Sequence, residues 1–502
     1  MSPNNRLPHR RASRRPPASG RKATGRLTAR DVITSGEELA AYHHQFQRLF
    51  QRREQRDWSL LYLCGQLSNL ERKTMEPIVL ALIGPDPNAI RGLQQFIGQG
   101  EWDSAPVIEQ AQSLVAAWLG EPDGVVIVDG SGFPKQGPYS VGVGWQYCGH
   151  LGKIANCQLG VFSAYATRRG YAFLDERLYV LEDWFGAEYR DRWEACGIPD
   201  ALAFQTEPEL ALEMLAGLVR RAVLPFRWVA CDEGYGKSPA FLAGIAALGK
   251  WYLAEVPADT RVWGRTPAVE RPGQGPLGRP HTHMRVKRTA PRPQALRELQ
   301  AQLPPSAWRR RIIKEGSKGS LLAEFACLRV TPVRDGLPGS RSWAIFRRSL
   351  GPQPQVKFYL SNAPATCPLH EFVRVSGMRW PVETALEEGK GEVGMDHYET
   401  RTWRGWHHHM THAILAHLFL IRLRLLFQKK PGANRRSGPP TGSTGNRRRC
   451  PAHARPSGYH QLSPTPKPCG LLLSPQAGAF TARQTTLNPS LGRNLVVITE
   501  VS

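Results

Sequence analysis

The stretch VVIVDGSGFPKQG, residues 125–137, decides the fold class of this chain. Its first four residues are apolar and predict a buried strand, which Asp129 ends at a glycine-rich turn. A second apolar run, FRWVACD at 226–232, also ends in an acid, Asp232. Two buried strands that each end in an aspartate indicate a sheet with acidic residues along one edge.

The order of elements around this stretch predicts a ribonuclease-H-like fold. Three strands are followed by a helix, a strand, a helix and a strand, which we expect at 125–129, 157–167, 171–181, 207–223, 226–232, 238–249 and 251–257. In that fold the first and fourth strands are neighbours. The order therefore predicts that Asp129 and Asp232 meet at adjacent strand ends.

The fold class predicted for the whole chain is α/β, with a mixed sheet, flanking helices, an N-terminal helical domain, a β-rich insertion and disordered termini. Apolar spacings of three and four indicate the helical domain, and a structureless connection of more than a hundred residues would be implausible where we expect the insertion. The predicted segments are 1–30, a disordered basic tail; 31–120, helical; 121–257, first part of the catalytic core; 258–360, the insertion; 361–428, second part of the core with Glu383; and 429–502, a low-complexity basic tail.

Positive charge is concentrated at the two ends of the chain. The net charge is +24, of which residues 1–30 contribute +9 and residues 429–502 contribute +10. Basic tails are typical of DNA binding and equally of solvated, disordered ends. The helical domain is open to the same two interpretations, a DNA-presenting helix or an ordinary bundle. The tail at 429–502 is either low-complexity sequence or the product of a shifted reading frame.

Cysteine usage and hydropathy predict an intracellular protein. The nine cysteines are scattered without a CxxC pair, which favours a reducing cytoplasm over a disulfide scaffold. The most apolar run, around 410–427, carries His412, His417, Arg422 and Arg424, and we expect it to be too charged and too short for a membrane span. We expect a cytoplasmic, nucleoid-associated protein with no membrane partner.

A third acid, Glu383, lies in RWPVETALEEGK (379–390), which is predicted to be helical. Mg²⁺ prefers a few carboxylate oxygens, and paired ions suit an in-line phosphoryl displacement. We therefore predict that Asp129, Asp232 and Glu383 bind two Mg²⁺ ions, with Mn²⁺ as an alternative. Turn residues and surface ion pairs are the alternative interpretation of each acid alone; Glu233, Glu387 and Glu388 are the competing neighbours.

Basic residues close to these acids are candidates for phosphate binding. Lys135, Arg379 and Lys390 are predicted to contact DNA. His408 and His412 have the four-residue spacing of helical zinc ligands, but there is no HExxH motif and no nearby cysteine, so a structural or DNA-facing helix is favoured.

Three stretches resemble the bacterial insertion-sequence transposases of the DDE type, the branch described as DDE-superfamily endonucleases. They are VDGSGFPKQGPYSVGVGWQYCGHLGKIANCQLGVF (128–162), FRWVACDEGYG (226–236) and RWPVETALEEGKGEVGMDHYETRTWRGWHHHMTHAILAHLFL (379–420). The resemblance implies a ribonuclease-H-like catalytic domain with an Asp-Asp-Glu triad, which maps onto Asp129, Asp232 and Glu383. Of the signature tyrosine, arginine, glutamate and lysine found in many relatives, Arg379, Glu383 and Lys390 match, and Ser376 replaces the tyrosine.

The resemblance implies a metal-dependent DNA transposase that cleaves at the ends of an insertion sequence and transfers strands to target DNA. Its partners would be element ends and target DNA, and joining two ends predicts a homodimer in the DNA complex. Two alternatives stay open: a ribonuclease-H-like nuclease without strand transfer, and an inactive DNA-binding transposase remnant.

Overall fold

The computed structural model describes residues 29–271, 283–316 and 319–428. The tails predicted at 1–30 and 429–502 lie outside these residues, except that Ala29 begins the first helix. The helices are α1 (Ala29–His44), α2 (Arg53–Gln66), α3 (Met75–Leu82), α4 (Pro87–Gly98), α5 (Ser104–Leu119), α6 (Arg190–Cys196), α7 (Glu207–Arg221), α8 (Glu233–Gly236), α9 (Pro239–Ala247), α10 (Leu296–Ala301), α11 (Leu369–Gly377), α12 (Trp380–Val393) and α13 (Trp403–Gln428).

The strands form one large sheet and a separate two-stranded ribbon. They are β1 (Val125–Pro134), β2 (Gly144–Cys148), β3 (Lys153–Thr167), β4 (Gly170–Tyr179), β5 (Trp228–Cys231), β6 (Trp251–Glu255), β7 (Arg261–Trp263), β8 (Val269–Glu270), β9 (Arg285–Val286), β10 (Gln294–Ala295), β11 (Arg309–Gly316), β12 (Gly319–Arg334), β13 (Leu337–Pro338), β14 (Ser342–Ser349) and β15 (Val356–Ser361). Strands β8 and β9 form the ribbon.

The centre of the large sheet has the predicted ribonuclease-H-like arrangement. Strand β1 pairs antiparallel with β3 and parallel with β5, β5 pairs parallel with β6, and β3 pairs antiparallel with β4. The central strand β5 is buried along its whole length, as expected for a parallel strand covered on both faces. The predicted mixed α/β fold class is therefore confirmed.

The β-rich insertion continues this sheet. Strand β15 pairs antiparallel with β6, and β14, β12, β7 and β10 follow in order, so that the sheet contains 13 of the described strands. At its carboxyl-terminal end, after β15, the insertion is followed by α11 and then by α12, which carries Glu383. The insertion therefore connects the last core strand to the helix of the third candidate acid.

The last described helix, α13, is the centre of the helical layer. It packs against α2, α4, α5 and α12 and against strand β4. By length and hydropathy its 25 residues Trp403–Phe427 would qualify as a membrane span, so the expectation that this run is too short is wrong; yet 72% of its most apolar window is buried inside the protein. Such burial is typical of a core helix, because a helix that is apolar all round needs partners on every side.

Candidate active site

The register of the parallel strands places Asp129 and Asp232 side by side. Val128 lies opposite Cys231, and each aspartate is the next residue. Since neighbouring strands are about 4.8 Å apart, the two aspartates lie side by side where the parallel pairing of β1 and β5 ends. Asp232 follows the last residue of β5, but the prediction that the first strand ends at Asp129 is wrong, because β1 continues to Pro134 through its antiparallel pairing with β3. Asp232 is the N-cap of α8, where its Oδ1 accepts a hydrogen bond from the Tyr235 backbone N–H at 3.3 Å, whereas Glu233 is exposed.

Asp129 lies in an environment that disfavours a negative charge. Burial, followed by the charge of Asp232, raises its pKa to about 7, and Glu383 contributes in the same direction. The opposing influences are the Arg379 guanidinium and a hydrogen bond of 2.9 Å from the Gly130 backbone N–H to Oδ1. The electrostatic interactions thus place all three predicted acids in one neighbourhood.

Glu383 reaches this neighbourhood from the first turn of α12. Pro381 lies in the same turn, where a missing N–H is tolerated, and α12 packs against β1. The carboxylate of Glu383 pairs with the guanidinium of Arg379, four residues earlier. Glu383 is therefore neutralised by an arginine in this structure.

Arg379 lies among four carboxylates. Although burial disfavours its charge, Asp129, Glu383, Asp232 and Glu255 raise its pKa above the ordinary value. Its Nε is buried and has no hydrogen-bond partner among the described residues. Arg379 is thus the counter-charge of the acidic cluster and retains an unused donor.

Two acids near the site were missed in the sequence. Ala254 lies opposite Cys231, so Glu255 continues the row of Asp129 and Asp232 on the third parallel strand, where it pairs with Lys357 at 2.8 Å. The run WYLAE has the same apolar-then-acid pattern as the two aspartate strands and could have revealed it. The second acid, Glu207, has its pKa raised by burial and then by Asp232, and no pattern in the sequence indicates it.

The two lysines predicted to bind DNA have partners within the protein. Lys135 donates to the Tyr398 carbonyl at 3.3 Å and lies over the Tyr398 ring, and burial lowers its pKa to about 8. Lys390 donates to the Gly132 carbonyl at 3.0 Å, and burial lowers its pKa. Both lie close to the ends of β1 and α12, and a DNA contact by either stays a prediction.

The competitors of Glu383 on α12 have other surroundings. Glu387 is exposed. Glu388 accepts hydrogen bonds from Tyr171 at 2.8 Å, His417 at 3.0 Å and Arg424 at 3.0 Å. Burial opposes its ionisation, yet His417 and Arg424 bring its pKa below the ordinary value. Glu388 therefore belongs to a structural network between α12, α13 and β4.

The histidine pair on α13 is also structural. His408 contacts the carbonyls of Ile97 and Trp102 at 3.0 and 2.9 Å, and its ring stacks on Trp102 at 3.7 Å. His412 contacts the His408 carbonyl and the Ser59 hydroxyl. With these protein partners, neither ring is arranged as a zinc ligand.

The donor set at the strand ends suits a hard divalent cation. Carboxylate oxygens are the ligands such ions prefer, and the pKa of Asp129 is raised by burial and then by the charge of Asp232, both of which a bound cation would offset. Within residues 29–271, 283–316 and 319–428, no three His, Cys, Asp or Glu side chains are already arranged to hold an ion. In this structure the guanidinium of Arg379 supplies the positive charge beside the carboxylates. For Glu383 to bind a metal ion, its ion pair with Arg379 would have to break.

Comparison with known protein families decides the assignment. The profile described as DDE superfamily endonuclease matches residues 45–320, which is more than half of the chain and includes Asp129 and Asp232. The chain belongs to the DDE superfamily endonucleases. No curated protein matches it.

Membership of the DDE superfamily endonucleases implies nuclease-type chemistry on DNA, and enzymes of this type generally use divalent metal ions. Glu383 lies beyond the matched range, so its assignment depends on its position beside Asp129. At the signature position where many relatives have tyrosine, Ser376 is buried and donates to the Val373 carbonyl at 2.8 Å.

Proposed function

We propose that this DDE superfamily endonuclease is a DNA transposase, which cleaves at the ends of an insertion sequence and joins the freed 3′-hydroxyls to target DNA. The observation that carries the proposal is that Asp129 and Asp232 lie side by side where the parallel pairing of β1 and β5 ends, with Glu383 within electrostatic reach. We propose that the reaction takes place in the cytoplasm, where the protein is associated with the nucleoid.

Asp129, Asp232 and Glu383 are the residues that would hold the two proposed Mg²⁺ ions. When bound, such ions activate a water or 3′-hydroxyl nucleophile and stabilise the leaving oxygen. The remaining work falls to the protein. The backbone N–H of Gly130 holds Oδ1 of Asp129, and the N–H of Tyr235 holds Oδ1 of Asp232, so both carboxylates are oriented before substrate arrives.

Arg379 has two proposed roles. Without metal it offsets the repulsion among Asp129, Asp232, Glu255 and Glu383, which otherwise disfavours their shared ionisation. If a cation neutralised these carboxylates, the guanidinium would be free to bind DNA phosphate, for which its planar fork of donors is well suited. The unused buried Nε supports this second role.

A strand-transfer assay tests the proposal. The purified full chain is incubated with Mg²⁺ and a supercoiled plasmid that carries two element ends, with Mn²⁺ in a parallel reaction. A transposase produces nicked ends and joined products; a nuclease without strand transfer produces nicks alone; an inactive remnant binds ends and cleaves with neither ion. The last two outcomes overturn the transposase assignment.

Matched variants connect the activity to the three acids. Asp129→Asn, Asp232→Asn and Glu383→Gln should each reduce cleavage by about 10²-fold or more, the scale expected when a group acting on the reacting centre is removed. Glu387→Gln, on the same helix but exposed, is the control and should cleave like the unaltered protein. Equal activity of Glu383→Gln and Glu387→Gln would exclude Glu383 from the site.

A homodimer in the DNA complex is part of the proposal, since two ends must be joined together. The ratio of protein to DNA ends in the isolated complex, measured by light scattering, tests it. A complex with one chain and two ends would contradict it.

A further inference from the structure

The strongest unexplained surface is the outer face of the hairpin formed by β2 and β3. Trp145 is 76% exposed, Tyr147 is 62% exposed and Ile154 is 66% exposed. Tyr147 lies opposite Ile154 in the antiparallel register, and Trp145 is two residues before Tyr147, so the three side chains share one face. Two large aromatic rings in solvent on one strand are costly without a partner.

The hairpin is fixed beside the candidate active site. Its inner face carries Cys148, whose Sγ is only 2.6 Å from where a β-carbon on Gly132 would lie. Gly132 is three residues after Asp129, and its carbonyl accepts the hydrogen bond from Lys390 on the Glu383 helix. The aromatic face is therefore attached to the end of the strand that carries the first candidate acid.

The charge of this region favours a polyanion. No Asp or Glu occurs between Asp129 and Asp175, whereas Lys135, His150 and Lys153 lie in or next to the hairpin. Asp396 and Glu399 act on Lys135, but Lys153 at the hairpin tip is exposed. An acid-free segment with exposed aromatic rings is the composition that binds nucleic acid by stacking and by phosphate contact.

We propose that Trp145 and Tyr147 stack on the bases of an unpaired DNA strand beside the scissile phosphate. The inference rests on the proposed function, since it gives the hairpin a part in holding DNA at that site. Bases inside a duplex present only their edges, so a flat aromatic face fits bases that have left the stack. Stacking of this kind tolerates any base sequence.

A second copy of this chain is the competing occupant, and the size of the patch argues against it. A stable interface needs about 800 Å² from each partner, whereas a Trp or Tyr side chain supplies about 150–250 Å² at most. Trp145, Tyr147 and Ile154 together fall short of that area. They are sufficient for one or two stacked bases.

The test compares two labelled DNAs by fluorescence anisotropy in EDTA, so that cleavage does not interfere. One is fully paired, and the other has a short unpaired strand at one end. The unaltered protein should prefer the unpaired end, and Trp145→Ala with Tyr147→Ala should weaken binding to it by about tenfold or more, with little change for the duplex. Trp145→Phe with Tyr147→Phe should retain the preference, and Leu80→Ala, an exposed apolar control on α3, should have no effect.

A second measurement needs no variant. A 2-aminopurine base in the unpaired strand should lose fluorescence on binding the unaltered protein, because stacking on an aromatic ring quenches it. Absence of quenching, equal weakening on both DNAs, or a dimer that dissociates on substitution while DNA affinity is unchanged would each overturn the inference. Failure of strand transfer in the plasmid assay would refute the transposase assignment and leave these metal-free binding results intact.

Discussion

The guanidinium of Arg379 and the carboxylate of Glu383 form an ion pair across the first turn of α12. The same guanidinium lies within electrostatic reach of Asp129, Asp232 and Glu255. In a family that generally uses divalent metals, this arrangement means that one side chain and an incoming cation compete for the same carboxylates. Metal binding should therefore be controlled by Arg379.

Arg379→Gln should make the protein depend on divalent metal for stability. Without metal, the loss of the counter-charge should lower the free energy of unfolding by about 1–3 kcal/mol. At one fixed Mg²⁺ concentration the variant should gain more stability than the unaltered protein, because loss of the competing guanidinium lowers the dissociation constant for Mg²⁺; the gain is about 2.7 kcal/mol where Mg²⁺ is at a hundred times that constant. Thermal unfolding with and without Mg²⁺ measures both effects.

Arg374→Gln is the matched control for that experiment. Arg374 pairs with Glu371 at 2.8 Å and with Asp123, away from the strand ends. It should lower stability without a change in the response to Mg²⁺. A response of Arg379→Gln no larger than that of the unaltered protein would contradict the proposed competition.

Asp129→Asn should stabilise the metal-free protein at high pH. Because the folded-state pKa of Asp129 is raised to about 7, the folded protein binds more protons than the unfolded chain between about pH 4 and 7, and stability falls as the pH rises through that window. The asparagine removes this loss, so we expect a gain of up to about 4 kcal/mol at pH 8 and almost none at pH 4. Urea unfolding in EDTA at the two pH values measures it; equal effects at both would be inconsistent with a buried, charge-repelled carboxyl.

Glu388→Gln should destabilise the fold. The glutamate is hydrogen-bonded to Tyr171, His417 and Arg424, so its loss leaves buried partners unpaired at a cost of about 2–4 kcal/mol. Because its pKa is lowered, the stabilisation is present at neutral pH and is lost only as the pH falls below about 4.5, the ordinary value for glutamate. Chemical unfolding at pH 7 measures the loss. Glu387→Gln, which alters an exposed neighbour, is the control and should change stability by less than about 0.5 kcal/mol. A similar loss of stability in both variants would show that the hydrogen bonds of Glu388 do not stabilise the fold.

Gly236→Ala should disrupt the turn that holds Asp232. A β-carbon there would lie 1.9 Å from the Glu255 carbonyl oxygen, so the backbones of α8 and β6 must separate. We expect a loss of about 3 kcal/mol together with lower nuclease activity. Gly391→Ala in α12, where a β-carbon meets nothing within 4 Å, should instead stabilise the protein by about 0.5–1 kcal/mol. Calorimetry measures the stability of both variants. An unchanged stability of Gly236→Ala would contradict the prediction, because it would show that the contact with the Glu255 carbonyl relaxes at little cost.

The sheet centre and its acids could be predicted because their pattern is local. A strand covered on both faces is a continuous apolar run, and the acid after that run lies where the parallel pairing ends, although β1 itself continues to Pro134. Glu255 follows the same rule, since it comes after the apolar run WYLA of the fifth predicted strand. The pairing of Arg379 with Glu383 was also within reach, since a spacing of four brings helical side chains together.

Other features depend on tertiary contacts that no local pattern reveals. Apolar residues on every face of α13 indicate that the helix is buried, but they do not indicate which elements pack against it. The folded chain shows that these are α2, α4 and α5. The nearness of Glu207 to Asp232 likewise depends on how α7 crosses the sheet. Strand β2 and its aromatic face could not be predicted, because the glycines around this short strand indicate turns.

The position of α13 has a consequence for biosynthesis. Residues 53–119 bury their apolar faces against a helix that leaves the ribosome almost three hundred residues later. The amino-terminal helices must therefore wait with incomplete packing until Trp403–Gln428 emerges. A gene copy interrupted before that point would yield a polypeptide that aggregates or is degraded, even with Asp129 and Asp232 intact.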